Sequence, residues 1–131
     1  MAELVVKTAV RNQLVDVTLL VRKAVQESGV KEGLCIVYCP HTTAAITINE
    51  NSDPAVVNDV LKKLSELVPA NAGYAHAEGN SDAHIKASMI GNSRLVPIES
   101  GNLLLGTWEA IFFCEFDGPR ERKLVVKVIK D

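Results

Sequence analysis

The 131-residue chain lacks long hydrophobic runs: stretches such as Leu19–Val21 and Ala110–Cys114 fall far short of the roughly 20 residues that a bilayer-spanning helix needs. It also lacks an excess of positive charge. With 14 Lys and Arg against 16 Asp and Glu the formal net charge is −2, so no global field draws it to nucleic acid or to an anionic membrane, and any anion site must be local. The first residues, Met1 to Lys7, do not have the basic, apolar and small-residue segments of a secretory signal, and the expected compartment is the cytoplasm. Cysteine is scarce. The three thiols, Cys35, Cys39 and Cys114, form no C-x-x-C pair and no disulfide framework, and all lie in strand-like apolar runs where they read as small buried hydrophobes. Cys35 and Cys39 would stand about 13 Å apart on one strand face, at ~3.3 Å per residue, too far to share a metal ion. No Walker sequence, no strand-linked G-x-G-x-x-G and no G-x-S-x-G occurs, so nucleotide-phosphate cradles and the serine-hydrolase elbow have no support.

What is present suits one globular domain over residues 1–131, since 47% of residues are hydrophobic, 23% are charged, and no repeat or low-complexity tract interrupts them. Glu3–Val10 and Gln13–Val17 read as strands, and Asp16 or Thr18 is placed to cap a helix over 18–28 that Gly29 stops. Gly33–Cys39 and Ala44–Ile48 read as buried strands on either side of Pro40. Asp53 followed by Pro54 opens a second helix, apolar at Val57, Val60, Leu61, Leu64 and Leu67, which runs to about Val68 before Pro69. Ala70–Ala83 reads as a long loop, and a loop of that length in a small domain calls for a functional explanation. His84–Ile90, Arg94–Ile98, Leu103–Glu115 and Lys123–Lys130 read as further strands separated by turn chemistry. The expected fold is α+β: two helices packed on a mixed, largely antiparallel sheet.

The chain has only three histidines, His41, His76 and His84, and each lies beside a break in regular structure. Three imidazoles converging with a fourth position open is the arrangement of a catalytic zinc site, although solvated loop histidines would give the same spacing. In Asn49-Glu50-Asn51-Ser52-Asp53, Asp53 is accounted for as a cap, while Glu50 has no capping job and is a candidate general base or partner of an imidazole N–H. Lys86 and Ser88, read on one strand face, together with Arg120, Arg122 and the hydroxyls of Thr42 and Thr43, are candidate phosphate ligands.

These residues stand in motifs that carry a resemblance. His41-Thr42-Thr43-Ala44-Ala45 with Ile48-Asn49-Glu50, Asp53-Pro54, Ala83-His84-Ile85-Lys86, Pro97-Ile98, Gly101-Asn102-Leu103 with Leu105-Gly106-Thr107-Trp108, and Glu115 with Arg120 resemble the YjbQ-like family, also called secondary thiamine-phosphate synthases, over nearly the whole chain. Where that family usually carries Gln after Gly-Thr-Trp, this chain has Glu109, and a carboxylate cannot donate the amide's hydrogen bonds. The resemblance implies a small α+β homotrimer with its histidines, His41, His76 and His84, on a divalent metal, zinc by expectation. It also implies weak thiamine-phosphate synthase activity, joining a pyrimidine diphosphate to a thiazole phosphate with loss of pyrophosphate.

On that reading Lys86, Arg120, Thr42, Thr43 and Ser88 hold phosphate groups of a small phosphorylated substrate, and Glu50 and His84 take part in the chemistry. Two other readings use the same residues. One is a zinc-dependent hydrolase in which Glu50 takes the proton of a metal-bound water, and the other is a non-catalytic trimeric module that binds a small anion.

Overall fold

The computed structural model describes residues 1–131. The elements in chain order are strands β1 (Ala2–Lys7) and β2 (Gln13–Asp16), helix α1 (Thr18–Ser28), strands β3 (Gly33–Tyr38) and β4 (Ala44–Glu50), and helices α2 (Pro54–Leu67) and α3 (Ser81–Ile90). Strands β5 (Ser93–Glu99), β6 (Asn102–Leu103), β7 (Glu109–Glu115) and β8 (Glu121–Lys130) follow. The strands form two sheets, a five-stranded one in the order β1-β8-β3-β5-β6 and a three-stranded one in the order β2-β7-β4. Every pairing is antiparallel, so the single mixed sheet expected from sequence is corrected to two antiparallel sheets. The α+β class stands.

Alternation along the strands sets the layers. In β3, Gly33, Cys35 and Val37 are buried while Leu34, Ile36 and Tyr38 point the other way, and in β8 Arg122, Leu124 and Val126 point inward. The inward residues of the large sheet meet Ile46, Ile111 and Phe113 of the small sheet and Val21, Ala24 and Val25 of α1, and these groups form the main core. A second, smaller core lies on the other side of the small sheet, where Ala45, Cys114 and Phe116 are covered by Leu64 of α2 and by Ala83 and Ala87 of α3. All three cysteines are buried and free; burial pushes Cys35 and Cys39 up to about 11 and Cys114 up to about 12, so none is a thiolate near neutral pH.

Local chemistry fixes the start of α2 as expected, while the N-cap of α1 is Val17, which has no capping side chain, and Asp16 binds Thr18 from the position before it. The Asp16 carboxylate accepts from the Thr18 N–H at 2.9 Å and its hydroxyl at 2.6 Å, and α1 ends at Gly29, whose φ of 72° suits a residue without Cβ. Asp53 Oδ1 accepts from the Ala55 N–H at 2.9 Å with Pro54 at the first helical position.

The third helix is a correction: His84–Ile90, expected as a strand, is the body of α3. Its buried residues Asp82, Ala83, Lys86 and Ala87 recur at helical spacing, but two of them are charged. The apolar periodicity that announces a helix is therefore missing, and the buried Asp82 and Lys86 satisfy each other at 3.6 Å across one turn. His84 consequently sits on a helix, not in a loop.

A candidate anion-binding cleft

Five segments meet at one end of the two sheets. The turn Pro40–Thr43 links the large sheet to the small one, and three backbone bonds lock its surroundings: Phe116 N–H to the Thr43 carbonyl at 3.2 Å, Gly118 N–H to Arg11 at 3.1 Å, and Thr8 N–H to Arg120 at 3.0 Å. Where α3 turns into β5, Cys39 donates to the Asn92 carbonyl at 2.8 Å and Ile46 to that of Gly91 at 3.0 Å, which holds α3 beside the same turn. Between these segments lies a cleft of about 730 Å³ lined by Arg11, Pro40, His41, Thr42, Thr43, His76, Glu78, Gly79, Asn80, His84, Asp117, Arg120 and Arg122. Apart from Pro40, every lining residue is polar, charged or glycine. An adjoining hollow of about 440 Å³ shares His41, Thr42 and His84 and adds Ala44, Ala87, Ser88, Gly91 and Asn92.

Each of the cleft's arginines is paired with a carboxylate, Arg11 and Arg122 with the buried Asp82 and Glu115 and Arg120 with Asp117, which itself lines the cleft. Arg122, 2% exposed, donates through Nε to Glu115 Oε1 at 2.8 Å, and through Nη2 to Glu115 Oε2 and to Thr43 Oγ1 at 2.8 Å. Arg120 donates through Nε to the Asp117 carbonyl and through Nη2 to the Asp117 carboxylate, both at 3.0 Å. Arg11 donates through Nη2 to the buried Asp82 at 2.8 Å. These bonds engage Nε and Nη2 of Arg120 and Arg122 and Nη2 of Arg11, and they fix three guanidinium groups in the cleft lining as donors suited to phosphate oxygens. Burial raises the Glu115 carboxyl, but the bonds from Arg122, the Asp117 N–H and the Thr8 hydroxyl outweigh it and leave Glu115 below the usual carboxylate range.

The three histidines line this one cleft. The rings of His76 and His84 meet edge to face with centroids 5.6 Å apart. His76 Nε2 also lies 3.8 Å from the Glu78 carboxylate. His41 stands differently: its Nε2 accepts the Lys123 backbone N–H at 2.9 Å, and its ring packs edge-on to Phe113 with centroids 6.5 Å apart. No three His, Cys, Asp or Glu side chains are assembled as a ready metal cage.

Other candidates lie elsewhere. Lys86 is a correction: its ammonium is 2% exposed inside the small core, bonded to Asn12 Oδ1 at 3.1 Å and Ser65 Oγ at 3.5 Å and paired with Asp82, so it holds α3 in place and does not reach the cleft. Burial lowers its pKa and Asp82 opposes that. Ser88 donates to the His84 carbonyl one turn back at 2.8 Å and reaches only the adjoining hollow. Glu50 stands at the far end of β4, six residues or about 20 Å from Ala44 at ~3.3 Å per residue, where it accepts from Ser52 and pairs in register with Glu109. It lines neither space. Thr42, Thr43 and Arg120 line the cleft as expected from sequence. Arg11, Asn80 and Asp117 went unread, and the one available signal was that Arg11 and Asp117 each lie in polar breaks between strands.

A family model described as UPF0047 protein YjbQ-like matches residues 2–131. The chain belongs to the YjbQ-like UPF0047 family. This YjbQ-like chain is 54% identical over 126 residues to UPF0047 protein MJ1081 of Methanocaldococcus jannaschii, covering 96% of this chain and 91% of that protein. It is 47% identical over 125 residues to UPF0047 protein YugU of Bacillus subtilis, covering 95% of each. Its fold superimposes on the crystal structure of a YjbQ/UPF0047 family protein of Clostridium acetobutylicum with a TM-score of 0.97 at 55% identity, over 98% of this chain and 100% of the other. A protein of unknown function from Sulfolobus solfataricus, SSO2532, matches with a TM-score of 0.96 at 36% identity over 99% and 96%.

Proposed function

We propose that the YjbQ-like cleft binds the diphosphate of a small phosphorylated substrate and that the chain is a weak thiamine-phosphate synthase. The observation that carries this reading is the joining of a largely polar cleft, with three carboxylate-paired arginines, to a less polar hollow through the shared residues His41, Thr42 and His84. A pyrimidine-methyl diphosphate has the same two halves, with the diphosphate suited to the cleft and the ring to the hollow.

In the reaction the methylene C–O bond breaks with its electron pair going to pyrophosphate, and the thiazole nitrogen lone pair forms the new C–N bond. Charge builds on the leaving oxygen, so donors fixed before the reaction help most. Arg11, Arg120 and Arg122 supply charge, Thr42 and Thr43 supply hydroxyls, and His84, shared by both spaces, stands where the bond breaks. His76 and His84 would hold a divalent metal, zinc by its fit to imidazole, which adds positive charge near the leaving group. Glu50 has no part in these steps.

We also infer that the chain works as a homotrimer. The number three rests on the family resemblance alone, and the outward face of the large sheet, with Leu34, Tyr38, Leu95 and Ile129 among its exposed residues, is the apolar surface that neighbouring copies would cover. Calorimetric titration with inorganic pyrophosphate tests the binding half of the reading: binding about tenfold weaker in Arg120→Ala supports it, and no binding by the parent chain contradicts it.

A further inference from the structure

A neutral imidazole has one N–H and one lone pair, so its partners reveal its tautomer. His41 Nε2 receives the backbone N–H of Lys123 at 2.9 Å, and that use of the lone pair puts the ring proton on Nδ1. The ring has little freedom to exchange its nitrogens, because one edge is tied to β8 and it packs edge-on to Phe113, which is fully buried. His41 borders both the cleft and the hollow next to Thr42. A metal ligand must offer a lone pair, and this ring's is spent inside the protein.

We infer that His41 serves the site as a neutral Nδ1–H donor to an oxygen of the bound ligand, and that any metal is left to His76 and His84. Burial first, and then the nearby Arg122 guanidinium, hold the His41 pKa below the usual imidazole range, so the donor is uncharged at neutral pH. An uncharged donor beside three arginines orients a phosphate or carbonyl oxygen without adding to the repulsion among the cations. The identity of the ligand rests on the anion reading above; the tautomer does not.

The test uses the full chain labelled with 15N-histidine. Long-range 1H–15N correlation spectra at neutral pH, assigned through single His→Gln variants, should show His41 with Nδ1 protonated and Nε2 bare. One equivalent of zinc should shift His76 and His84 and leave both His41 nitrogens where they were. A protonated Nε2 on His41, or zinc shifts on all three rings together, overturns the inference.

Inorganic pyrophosphate tests the donor role. Where it binds, the His41 Nδ1 signal should move, and an unmoved signal under saturation overturns the role. His41→Ala should weaken binding about tenfold, and His41→Asn, whose amide N–H stands near the former Nδ1, should recover it to within about threefold. Failure of pyrophosphate to bind at all counts against the proposed function, while the tautomer and the zinc response still decide the assignment of His41.

Discussion

Arg122 and Glu115 face each other between the two sheets, one from β8 and the other from β7, with Nε 2.8 Å from Oε1 and both side chains almost wholly removed from solvent. The pair joins the large sheet to the small one directly behind Thr43, and so it fixes the back wall of the cleft. Removing one partner leaves the other buried and unpaired. Glu115→Ala is therefore expected to lower stability by about 3–5 kcal/mol in urea unfolding. A loss under about 1 kcal/mol would mean that the pair does not lock the sheets.

The same carboxylate makes stability depend on acid. Its folded pKa lies below the ordinary 4.5, because the Arg122, Asp117 and Thr8 bonds overcome the upward effect of burial. A depressed carboxylate contributes stability that is fully present above its ordinary value and is lost as pH falls through the folded one. Asp16 acts in the same direction: burial raises it, but the Thr18 and Asn51 bonds and Arg22 bring it below the ordinary 3.8. The urea midpoint should stay level from neutrality to about pH 5 and then fall, and the fall should be shallower in Glu115→Gln.

Lys86 separates a structural cation from a ligand-binding one. Lys86→Met leaves Asp82 with only Arg11 and should cost about 2–4 kcal/mol of stability while pyrophosphate affinity stays within about threefold. Arg120→Ala, whose ion pair is half exposed, should do the reverse: little change in unfolding and about tenfold weaker binding. A large affinity loss in Lys86→Met with stability intact would return that lysine to the site.

The contrast between Lys86 and Arg120 shows how far the sequence could be read. Helices α1 and α2 were legible because each joins end signals to an apolar stripe, with Asp16 and Gly29 for one and Asp53 and Pro54 for the other. Helix α3 was not, because its inward face is made of Asp82, Ala83, Lys86 and Ala87, and a buried charge pair looks in sequence like a solvated one. The spacing of Ala83 and Ala87, with Asn80 before and Gly91 after, was the weak signal that remained. The histidines were legible as a set, since the cleft gathers all three, although His84 stands in the first turns of α3 and not at the break where the sequence put it. The backing of Arg11 and Arg122 was not, since their carboxylates lie 71 and 7 residues away and only the chain's return brings them together. Glu50 misled for the opposite reason: closeness in sequence to His41 becomes distance along an extended strand.

The outward face of the large sheet gives a prediction about assembly. Sedimentation equilibrium should return three times the 14.2 kDa chain mass, and Leu95→Glu, at the 62% exposed Leu95 opposite Ile36, should shift it toward the monomer. A parent chain that sediments only at 14.2 kDa contradicts the trimer.

The central claim is that the cleft and hollow together run a transfer with loss of pyrophosphate. The most direct measurement supplies the purified chain with the pyrimidine-methyl diphosphate and the thiazole phosphate and follows thiamine phosphate and pyrophosphate together. The account predicts that both appear in equal amounts, that neither forms when the thiazole phosphate is omitted, and that both are lost in Arg120→Ala and His84→Ala. Turnover confined to phosphate esters or amides with added zinc, or pyrophosphate binding with no product at all, would contradict it.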